Sequence, residues 1–357
     1  MIYGSSKSFA DNPSLQFLTS GPTTPSSRYR IFQYVDHLRA SGFPCRVANS
    51  FPEKYDYLPV LGWHASRALK RAVRRWHLLQ LRWTRPDVVV LERELFHEPS
   101  TEFEEILRRR VRRLVLDVDD GIFLHFPDKF RRLAEMCDGI IVGNSFLQEY
   151  CAALNPRVVL IPTCVDLQHY QPAERPADST PVIVGWIGTP SNLAQLQLVL
   201  PALRSLRTHC PLRLRIISVH RQELDELDLA GLDWELVPWR AETALEALRQ
   251  CDIGVMPLSA DEPWNRYKCG LKLIEYMAVG LPAIASPVGV NAQIVTHGVD
   301  GYLAETTDDW TDQLACLATD ANLRRQMGLR ARETIVARYS VQAWLPKLEE
   351  VLRDFAK

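Results

Sequence analysis

The sequence predicts an α/β fold of two doubly wound domains, each a parallel sheet covered by helices. Short apolar runs alternate with longer helical patterns, which is typical of parallel strands joined by helices. The 357 residues suffice for two domains of ordinary size. A polar stretch with three prolines, Tyr170–Pro181, precedes a new apolar run. We therefore expect a first domain over 1–170, a linker over 171–181, a second domain over 182–338 and a C-terminal helix over 339–357.

Each predicted strand is a short apolar run bounded by polar or turn residues. In chain order these runs are Asp87–Leu91, Leu114–Val118, Gly139–Gly143, Val158–Pro162, Val182–Ile187, Leu214–Val219, Trp234–Val237, Ile253–Pro257 and Ala283–Ser286. The clearest helical patterns between them are Asn192–Leu206, Thr243–Gln250 and Leu271–Val279. The last segment carries apolar residues on one helical face from Trp344 to Phe355, so it needs a surface to pack on.

Composition excludes several classes of protein. Hydrophobic residues make up 46% and charged residues 24% of the chain, which excludes a disordered or fibrous protein. Basic and acidic residues nearly cancel, 42 against 43, so no overall positive field attracts nucleic acid, although the first half is the more basic one.

Cysteine usage and the N-terminus indicate the compartment. The eight cysteines form no C-x-x-C pair, which argues against a zinc ribbon and a disulfide framework and favours reduced thiols in the cytoplasm. The N-terminal residues lack the apolar stretch of a signal peptide, and no apolar run reaches about 18 residues. We expect a protein that is neither exported by that route nor membrane-spanning.

The segment Asn265–Ser286 carries most of the predicted chemistry. Its polar loop lies beyond the carboxyl end of a predicted strand, where ligands bind in such sheets. If the following helix begins near Lys268, then Lys268, Lys272 and Glu275 share one face, and Arg266 stands just before it. Cations beside a helix N-terminus suit a diphosphate, and a carboxylate further along suits ribose hydroxyls. A solvated Lys–Glu face explains the spacing equally well.

A second polar turn, Gly185–Asn192, follows the first strand of the second domain. Gly188 leaves room for a phosphate or a sugar near the backbone, and Thr189, Ser191 and Asn192 offer hydroxyl, amide and capping groups. An ordinary tight turn between a strand and a helix has the same composition.

The first domain contains weaker candidates. Arg28 and Arg30 follow a polar loop and suit an anion, but they are equally consistent with surface residues of a capped helix. The segment Asp117–Gly121 ends a predicted strand, as in phosphatases with an aspartyl nucleophile, but those need Thr or Val where Gly121 stands. His125 lies close behind and is a candidate for the same cleft, although a single histidine is more often structural.

Asp117, Asp119 and Asp120 also offer the oxygen ligands that hard cations prefer. Three acidic residues at a strand end are equally suited to capping turns.

Residues His64–Arg85 form a basic helical segment without any acidic residue. Arginine and lysine alternate there with leucine, valine and tryptophan. This pattern is typical of a peripheral contact with an anionic membrane. A solvated helix and an RNA-binding patch are the alternatives, but no RNA-binding motif accompanies the segment. We expect membrane contact through residues 64–85.

These segments together resemble the retaining glycosyltransferases of the GT-B fold, family 4, also called glycosyl transferases group 1. The family typically reads G-x-x-x-x-E-A-M-A-x-G-x-P-V-V-A-S and then G-x-x-G, and this chain is similar to it over Lys268–Gly289 and His297–Tyr302. Cys137–Ser145, Ile161–Asp166 and Cys251–Pro257 resemble three further family motifs in the same order. The likeness covers nearly the whole chain.

The resemblance implies two Rossmann-like domains around a cleft. It implies a nucleoside diphosphate sugar as donor substrate, bound mainly by the second domain, and a glycan or lipid-linked hydroxyl acceptor, bound mainly by the first. The C-terminal helix would cross back to the first domain. No cofactor and no metal are implied, because basic residues and a helix N-terminus take the place of a metal at the diphosphate.

The chain departs from the family at several positions. Of two family glutamates eight positions apart, the second falls on Glu275, which would contact the donor ribose, and the first falls on Tyr267, so the usual carboxylate at the donor sugar is missing. Trp186 stands near the usual arginine, so Arg266 and Lys268 would supply the charge.

The histidine of many family members falls near Asp117–Asp120, and Trp239 lies where the family binds the nucleobase. The expected catalytic residues are Lys268, Arg266, Asp119, Asp120 and His125. The expected donor-binding residues are Gly185, Gly188, Thr189, Asn192, Trp239, Tyr267, Gly270, Leu271, Lys272 and Glu275.

We therefore expect a metal-independent, retaining glycosyltransferase of the hexosyltransferase type. Its setting would be bacterial cell-surface polysaccharide or glycolipid assembly, in the cytoplasm or at the inner face of the cell membrane. A catalytically silent GT-B protein that only binds nucleotide or another transferase, and a GT-B nucleotide-sugar epimerase, are the alternatives.

Overall fold

The computed structural model describes residues 12–172, 180–219 and 222–357. The chain divides into two compact units, the first made of Met1–Thr163 with Trp344–Lys357 and the second of Cys164–Ala343. The predicted linker at 171–181 falls within the range of the second unit, and its residues 173–179 lie outside the described part of the chain.

The first unit is a six-stranded parallel sheet with the order β2-β1-β3-β4-β5-β6. Its strands are β1 (Leu15–Thr19), β2 (Cys45–Asn49), β3 (Val88–Glu92), β4 (Leu114–Val118), β5 (Gly139–Val142) and β6 (Val158–Leu160). The central strands are buried along their whole length, which is why Val88–Glu92 reads as an almost continuous apolar run.

Helices cover this sheet. They are α1 (Pro25–Ser27), α2 (Gln33–Ala40), α3 (Gly62–Thr84), α4 (Glu102–Arg108), α5 (Pro127–Met136) and α6 (Ser145–Ala152), with a π-helical turn at Arg28–Phe32 and a 3₁₀ turn at Ile122–Leu124. The sequence did not predict β1 or β2. Strand β2 lies at the sheet edge and is only partly buried, so it lacks the apolar run by which the other strands were found.

The second unit is another six-stranded parallel sheet, with the order β12-β11-β10-β7-β8-β9. Its strands are β7 (Val182–Ile187), β8 (Leu212–Ser218), β9 (Trp234–Pro238), β10 (Ile253–Met256), β11 (Ala283–Ala285) and β12 (Gly301–Leu303). The short edge strand β12 was not predicted. The two parallel sheets with their helices confirm the predicted fold class.

The helices of this part of the chain are α7 (Leu200–Leu206), α8 (Ala244–Arg249), α9 (Leu271–Ala278), α10 (Asn291–Ile294), α11 (Thr307–Thr319), α12 (Ala321–Arg338) and α13 (Val341–Ala356). Three 3₁₀ segments lie at Pro190–Leu198, Gln222–Glu226 and Pro263–Tyr267.

The single helix predicted over Asn192–Leu206 is wrong. A 3₁₀ segment ends at Leu198, and α7 begins anew at Leu200 with Pro201 in its first turn. Proline has no N–H to donate, so it fits the first turn of a helix and not its interior.

Helix α13 carries the chain from the second unit to the first, because residues 344–357 belong to the first unit. Its side chains Leu348, Val351, Leu352 and Phe355 are buried. The Phe355 ring lies against Gly139, where any Cβ would come within 2.0 Å of the ring. Glycine at the start of β5 therefore makes room for the helix.

Candidate functional site

In the second unit, the carboxyl ends of β7, β8 and β9 are joined through one buried serine. The Ser218 hydroxyl donates to the carbonyl of Gly188 at 3.0 Å, and the Ser218 carbonyl accepts from the amide of Trp239 at 2.8 Å. Gly188 and Trp239, predicted separately, therefore lie on the same sheet edge, where ligands bind in parallel α/β folds. Ser218 was not predicted from the sequence.

Helix α9 begins at Leu271, as the predicted helix Leu271–Val279 does, so the condition of a start near Lys268, which placed Lys268 on the helix face, is not met. The residue before it, Gly270, has φ of +68°, which lies in the left-handed region. A Cβ on Gly270 would also come within 2.3 Å of Ile294. Lys268 therefore lies in extended backbone ahead of the helix, and only Lys272 and Glu275 are on it.

Lys268 nevertheless reaches the turn after β7. Its ammonium donates to the side-chain oxygen of Asn192 at 2.6 Å, and the Asn192 amide donates to the Thr189 hydroxyl at 2.7 Å. Two polar segments distant in sequence thus meet at this edge. We call Asn192, Lys268 and Lys272 the lysine cluster.

Lys272 lies over the face of a buried tryptophan. Its ammonium is 4.9 Å from the ring centre of Trp186, which is fully buried. Cation–π contacts of this kind attract an ammonium to the ring. A Cβ on Gly188 would lie 2.7 Å from both the Lys272 chain and the Trp186 ring. The space predicted for a ligand at Gly188 is thus occupied in part by these two side chains.

The environment of Lys272 disfavours its charge. Burial and, to a lesser extent, the positive charge of Lys268 lower the pKa of Lys272 to about 7, while Glu275 partly opposes them. An anion placed beside the two lysines would reverse this balance and favour the protonated form. The lysine cluster is therefore arranged for a negatively charged ligand.

Glu275 is buried and held from a distant part of the chain. The Tyr170 hydroxyl donates to its carboxylate at 2.7 Å, and Glu275 is only 8% exposed. Arg332 in turn donates to the backbone carbonyl of Tyr170 at 2.5 Å. No pattern in the sequence connects Tyr170 with Glu275, because the two residues are far apart in the chain.

Tyr276, the next residue on α9, fixes the helix against the sheet. Its hydroxyl accepts from the amide of Ile187 at 3.1 Å and donates to the carbonyl of Val255 at 3.2 Å. Burial raises the pKa of Tyr276 well above its ordinary value, so the hydroxyl stays protonated and able to donate. This positioning role was not predicted from the sequence.

The remaining predicted residues of this unit have varied surroundings. Arg266 is exposed and Tyr267 is partly exposed at the end of the 3₁₀ turn Pro263–Tyr267. Leu271 is the first residue of α9. Gly185 lies inside β7, where a Cβ would come within 2.4 Å of the Cys251 sulfur. This contact gives Gly185 a packing role.

In the first unit, Asp119 and Asp120 face an arginine. Arg93 lies 2.5 Å from the Asp119 carboxylate and 3.6 Å from that of Asp120, and its own backbone has φ of +59°. Burial raises the pKa of Asp119, but the charge and hydrogen bond of Arg93 outweigh it, so the pKa is lowered overall. His125 is exposed, and its ring centre is 5.0 Å from that of His97.

Asp117 is buried and held by an arginine. The Arg30 guanidinium donates to both carboxylate oxygens, at 3.0 and 2.8 Å, and its side chain is 2% exposed. The expectation of a surface residue is therefore wrong for Arg30, and the geometry does not favour an aspartyl nucleophile at Asp117. Within residues 12–172, 180–219 and 222–357, no group of three or more acidic, histidine or cysteine side chains is arranged to hold a metal ion.

Glu92, at the end of β3, was also missed. Its carboxylate accepts from the amide and hydroxyl of Ser20 and from the hydroxyls of Ser26 and Ser27. These bonds explain why the polar loop that follows β1 is rich in serine. They hold the loop against β3 in the interior.

The basic segment predicted at 64–85 is α3, a helix of 23 residues. In the part of the chain that the structure describes, no helix has both the length and the hydropathy needed to cross a bilayer.

The fold has similar structures among solved proteins. Both sheets and their helices match GT-B glycosyltransferases among solved structures. Sucrose-phosphate synthase from Thermosynechococcus elongatus aligns with a TM-score of 0.74 at 14% identity, covering 96% of this chain and 98% of that one. HepE from Anabaena, in complex with UDP and glucose, aligns with a TM-score of 0.66 at 15% identity, covering 95% and 99%.

Sequence comparison matches one family over part of the chain. Residues 181–320 match the family described as glycosyl transferases group 1, which confirms the resemblance stated above over this segment. The D-inositol 3-phosphate glycosyltransferase of Nocardia farcinica is 28% identical over 233 residues, which are 59% of this chain and 49% of that protein. The chain thus spans about half, or less, of the length of the curated relatives it matches.

Proposed function

We propose that the protein is a glycosyltransferase that moves a sugar from a nucleoside diphosphate sugar to a hydroxyl acceptor, with retention at the anomeric carbon. The lysine cluster is the observation that carries this proposal. It brings two ammonium groups to the start of α9 and to the edge of β7, with Glu275 as the acidic group that supports their charge. A diphosphate matches such a site in charge and in hydrogen-bonding capacity.

In this mechanism the second unit binds the donor. Lys268, Lys272 and the first N–H groups of α9 hold the diphosphate, and Arg266 adds charge from the exposed side. Glu275 accepts hydrogen bonds from the ribose hydroxyls, and Trp239 lies along the nucleobase. Tyr267, in place of the usual glutamate, meets the donor sugar.

The chemical step exchanges one bond for another at the anomeric carbon. The bond to the diphosphate oxygen breaks, the bond to the acceptor oxygen forms on the same face, and the acceptor proton passes to the departing diphosphate. Preorganised positive charge at the leaving group is the main contribution of the protein, and losing one such contact commonly lowers the rate by about 10²–10³. Asp119, Asp120 and His125 are assigned to the acceptor.

The donor is a substrate in this proposal, and neither a cofactor nor a metal takes part. The lysines and the helix N-terminus supply the positive charge that a divalent cation would otherwise give. Activity that persists after treatment with a chelator supports this assignment, and activity that returns only with added Mg²⁺ contradicts it.

The setting we propose is assembly of a cell-surface polysaccharide or glycolipid in a bacterial cytoplasm, with a hexose as the sugar transferred. None of the eight cysteines, all of which lie in the described ranges, forms a disulfide, which suits a reducing compartment. The glycosyltransferase named in the sequence match and the UDP and glucose named in one structural match support a sugar donor of this kind.

Two alternatives follow from Tyr267. A chain without the usual glutamate there can be a silent GT-B protein that binds nucleotide only, or an epimerase. Acceptor-dependent release of diphosphate supports transfer, interconversion of nucleotide sugars without an acceptor supports the epimerase, and binding without turnover supports the silent protein.

The first experiment is a thermal-shift screen of the purified protein with UDP, GDP, ADP, CDP and their common sugar conjugates. A ligand far above its Kd should stabilise the protein by about 3 kcal/mol. The Lys268→Met and Lys272→Met variants should lose the shift, while Lys347→Met, an exposed lysine of α13, should keep it. A shift that survives in both site variants would remove the lysine cluster from the nucleotide site.

A further inference from the structure

Helix α3 has a buried face that fixes it to the first unit. Its buried side chains are Ser66, Arg74, Leu78 and Leu81. Arg74 donates to the carbonyls of Ala48 and Thr19, and burial lowers its pKa to about 10. These contacts determine which side of the helix faces outward.

The outward side carries a second apolar row. Ala65, Ala68, Ala72, Trp76, Leu79 and Trp83 recur at intervals of three or four residues, so they lie along one face. We call these six residues the outer row. Trp76 is 54% and Trp83 67% exposed, and their ring centres are 6.5 Å apart. Exposed tryptophans on a helix that is already anchored by its other face indicate a binding surface.

Further apolar groups are exposed at the N-terminal end of α3, where Val60 is 97% and Leu61 49% exposed just before the helix. The outer row itself is about 27 Å long at 1.5 Å per residue.

Basic residues border the outer row on one side. His64, Arg71, Arg75 and Arg82 follow one another at seven, four and seven residues, so they form a parallel row. Arg71 is paired with Glu98 at 2.6 Å. The Arg75 guanidinium lies over the Phe103 ring, 5.5 Å from its centre. Neither Arg75 nor Arg82 has an ion pair with any residue that the structure describes, and α3 itself contains no acidic residue.

We infer that the outer row of α3 docks on the surface of an anionic lipid bilayer. The helix lies parallel to the surface, with Trp76 and Trp83 at the level of the headgroups and the guanidinium groups of Arg75 and Arg82 on lipid phosphates. Tryptophan is favoured at this depth because its ring is apolar while its N–H still finds a partner. Arginines near an anionic surface add electrostatic attraction.

The pattern disfavours a second copy of the chain as the occupant. If Ala65, Ala72 and Leu79 occupied position a of a coiled-coil heptad, position d would hold Ala68, Arg75 and Arg82. Two arginines in that seam would oppose each other across a dimer, whereas phosphate headgroups neutralise them.

The test is co-sedimentation of the full chain with phosphatidylcholine vesicles, with and without phosphatidylglycerol. We expect binding to the mixed vesicles, little binding to phosphatidylcholine alone, and a strong decrease with added salt. Trp76→Ser with Trp83→Ser should weaken binding at least tenfold, since a buried aromatic contributes heavily to interfacial binding. Arg75→Gln and Arg82→Gln should each weaken it about fivefold.

Matched controls distinguish binding through the outer row from nonspecific binding to vesicles. Leu329→Ser removes an exposed apolar side chain of α12, 59% exposed, and Arg325→Gln with Arg330→Gln removes two exposed charges of the same helix. These variants should bind vesicles as the parent protein does. The altered side chains of α3 are exposed, so unchanged melting temperatures will show that every variant is folded.

Three results would overturn the inference. They are no binding to anionic vesicles at low salt, equal binding by the Trp76/Trp83 variant, and a dimer in light scattering that the Trp76/Trp83 variant abolishes. The last result would assign the outer row to self-association. The nucleotide thermal shift of the α3 variants is a separate readout, so failure here and failure of the proposed transferase remain distinguishable.

Discussion

The hydroxyl of Tyr170 donates a hydrogen bond of 2.7 Å to the buried carboxylate of Glu275, 105 positions further along the chain. This bond connects the segment after the first sheet to the helix that carries the proposed donor site. It fixes one side of the carboxylate that the proposed mechanism directs to the ribose. Its contribution is therefore measurable in both stability and ligand binding.

Tyr170→Phe should lower the free energy of unfolding by about 1.5–3 kcal/mol, because a buried carboxylate loses a hydrogen bond. Nucleotide affinity should fall as well, since Glu275 is then less well oriented. Urea denaturation and calorimetric titration with UDP and GDP measure the two effects. Tyr57→Phe, an exposed tyrosine of the first unit, is the matched control. Equal stability and equal nucleotide affinity of the two variants would show that Tyr170 does not orient Glu275.

Binding of a nucleoside diphosphate should be coupled to proton uptake by Lys272. The pKa of Lys272 is about 7 in the free protein, so at pH 8 the side chain is mostly neutral. The anion raises that pKa, and a proton enters on binding. Affinity should therefore decline as pH rises above 7. Calorimetry at pH 8 in buffers of different ionisation enthalpy measures the uptake, and Lys272→Met should abolish it. Uptake that is unchanged in Lys272→Met would assign the proton to another group.

Gly188→Ala should destabilise the second unit by about 1–3 kcal/mol, because the new methyl group meets Lys272 and Trp186 at 2.7 Å. Nucleotide binding should weaken too, since Lys272 must move. The Gly188→Ala/Lys272→Ala double variant should recover part of the stability, because one of the two clashing groups is gone. Thermal denaturation of the parent protein, the two single variants and the double variant completes a double-mutant cycle. Strict additivity would mean that Gly188 and Lys272 do not compete for this space.

Asp119→Asn should lower the free energy of unfolding at neutral pH by about 3 kcal/mol, because Arg93, only 14% exposed, loses its carboxylate partner. The pKa of Asp119 is lowered in the folded protein, so its contribution is present above its ordinary pKa and is lost as pH falls through the folded value. The difference in free energy of unfolding between the parent protein and the variant should therefore become smaller as the pH is lowered. Urea titrations at neutral and acidic pH measure it, with the exposed Asp128→Asn as control. A difference in free energy of unfolding that stays constant down to acid pH would contradict a stabilising ion pair between Asp119 and Arg93.

The secondary structure around the candidate site was predicted correctly where a short segment shows its own apolar pattern. The strand at Val182–Ile187 was predicted with its observed bounds, and the helix that starts at Leu271 was predicted to within one residue of its end. The helical spacing of Lys268 and Lys272 failed because Gly270 adopts a left-handed conformation between them. The two lysines meet because Lys268 reaches Asn192 across the sheet edge, which no periodicity reveals.

The sequence by itself determined the fold class and most strands, because burial on both faces requires continuous apolar runs that are visible locally. It also identified Lys268, Lys272 and Glu275 as candidate site residues and residues 64–85 as a basic helix. Tertiary structure alone decided that Tyr170 holds Glu275, that Arg30 is buried on Asp117, and which row of α3 faces outward. Each of these depends on contacts between residues distant along the chain, and such contacts are set by how the elements pack and not by local preference.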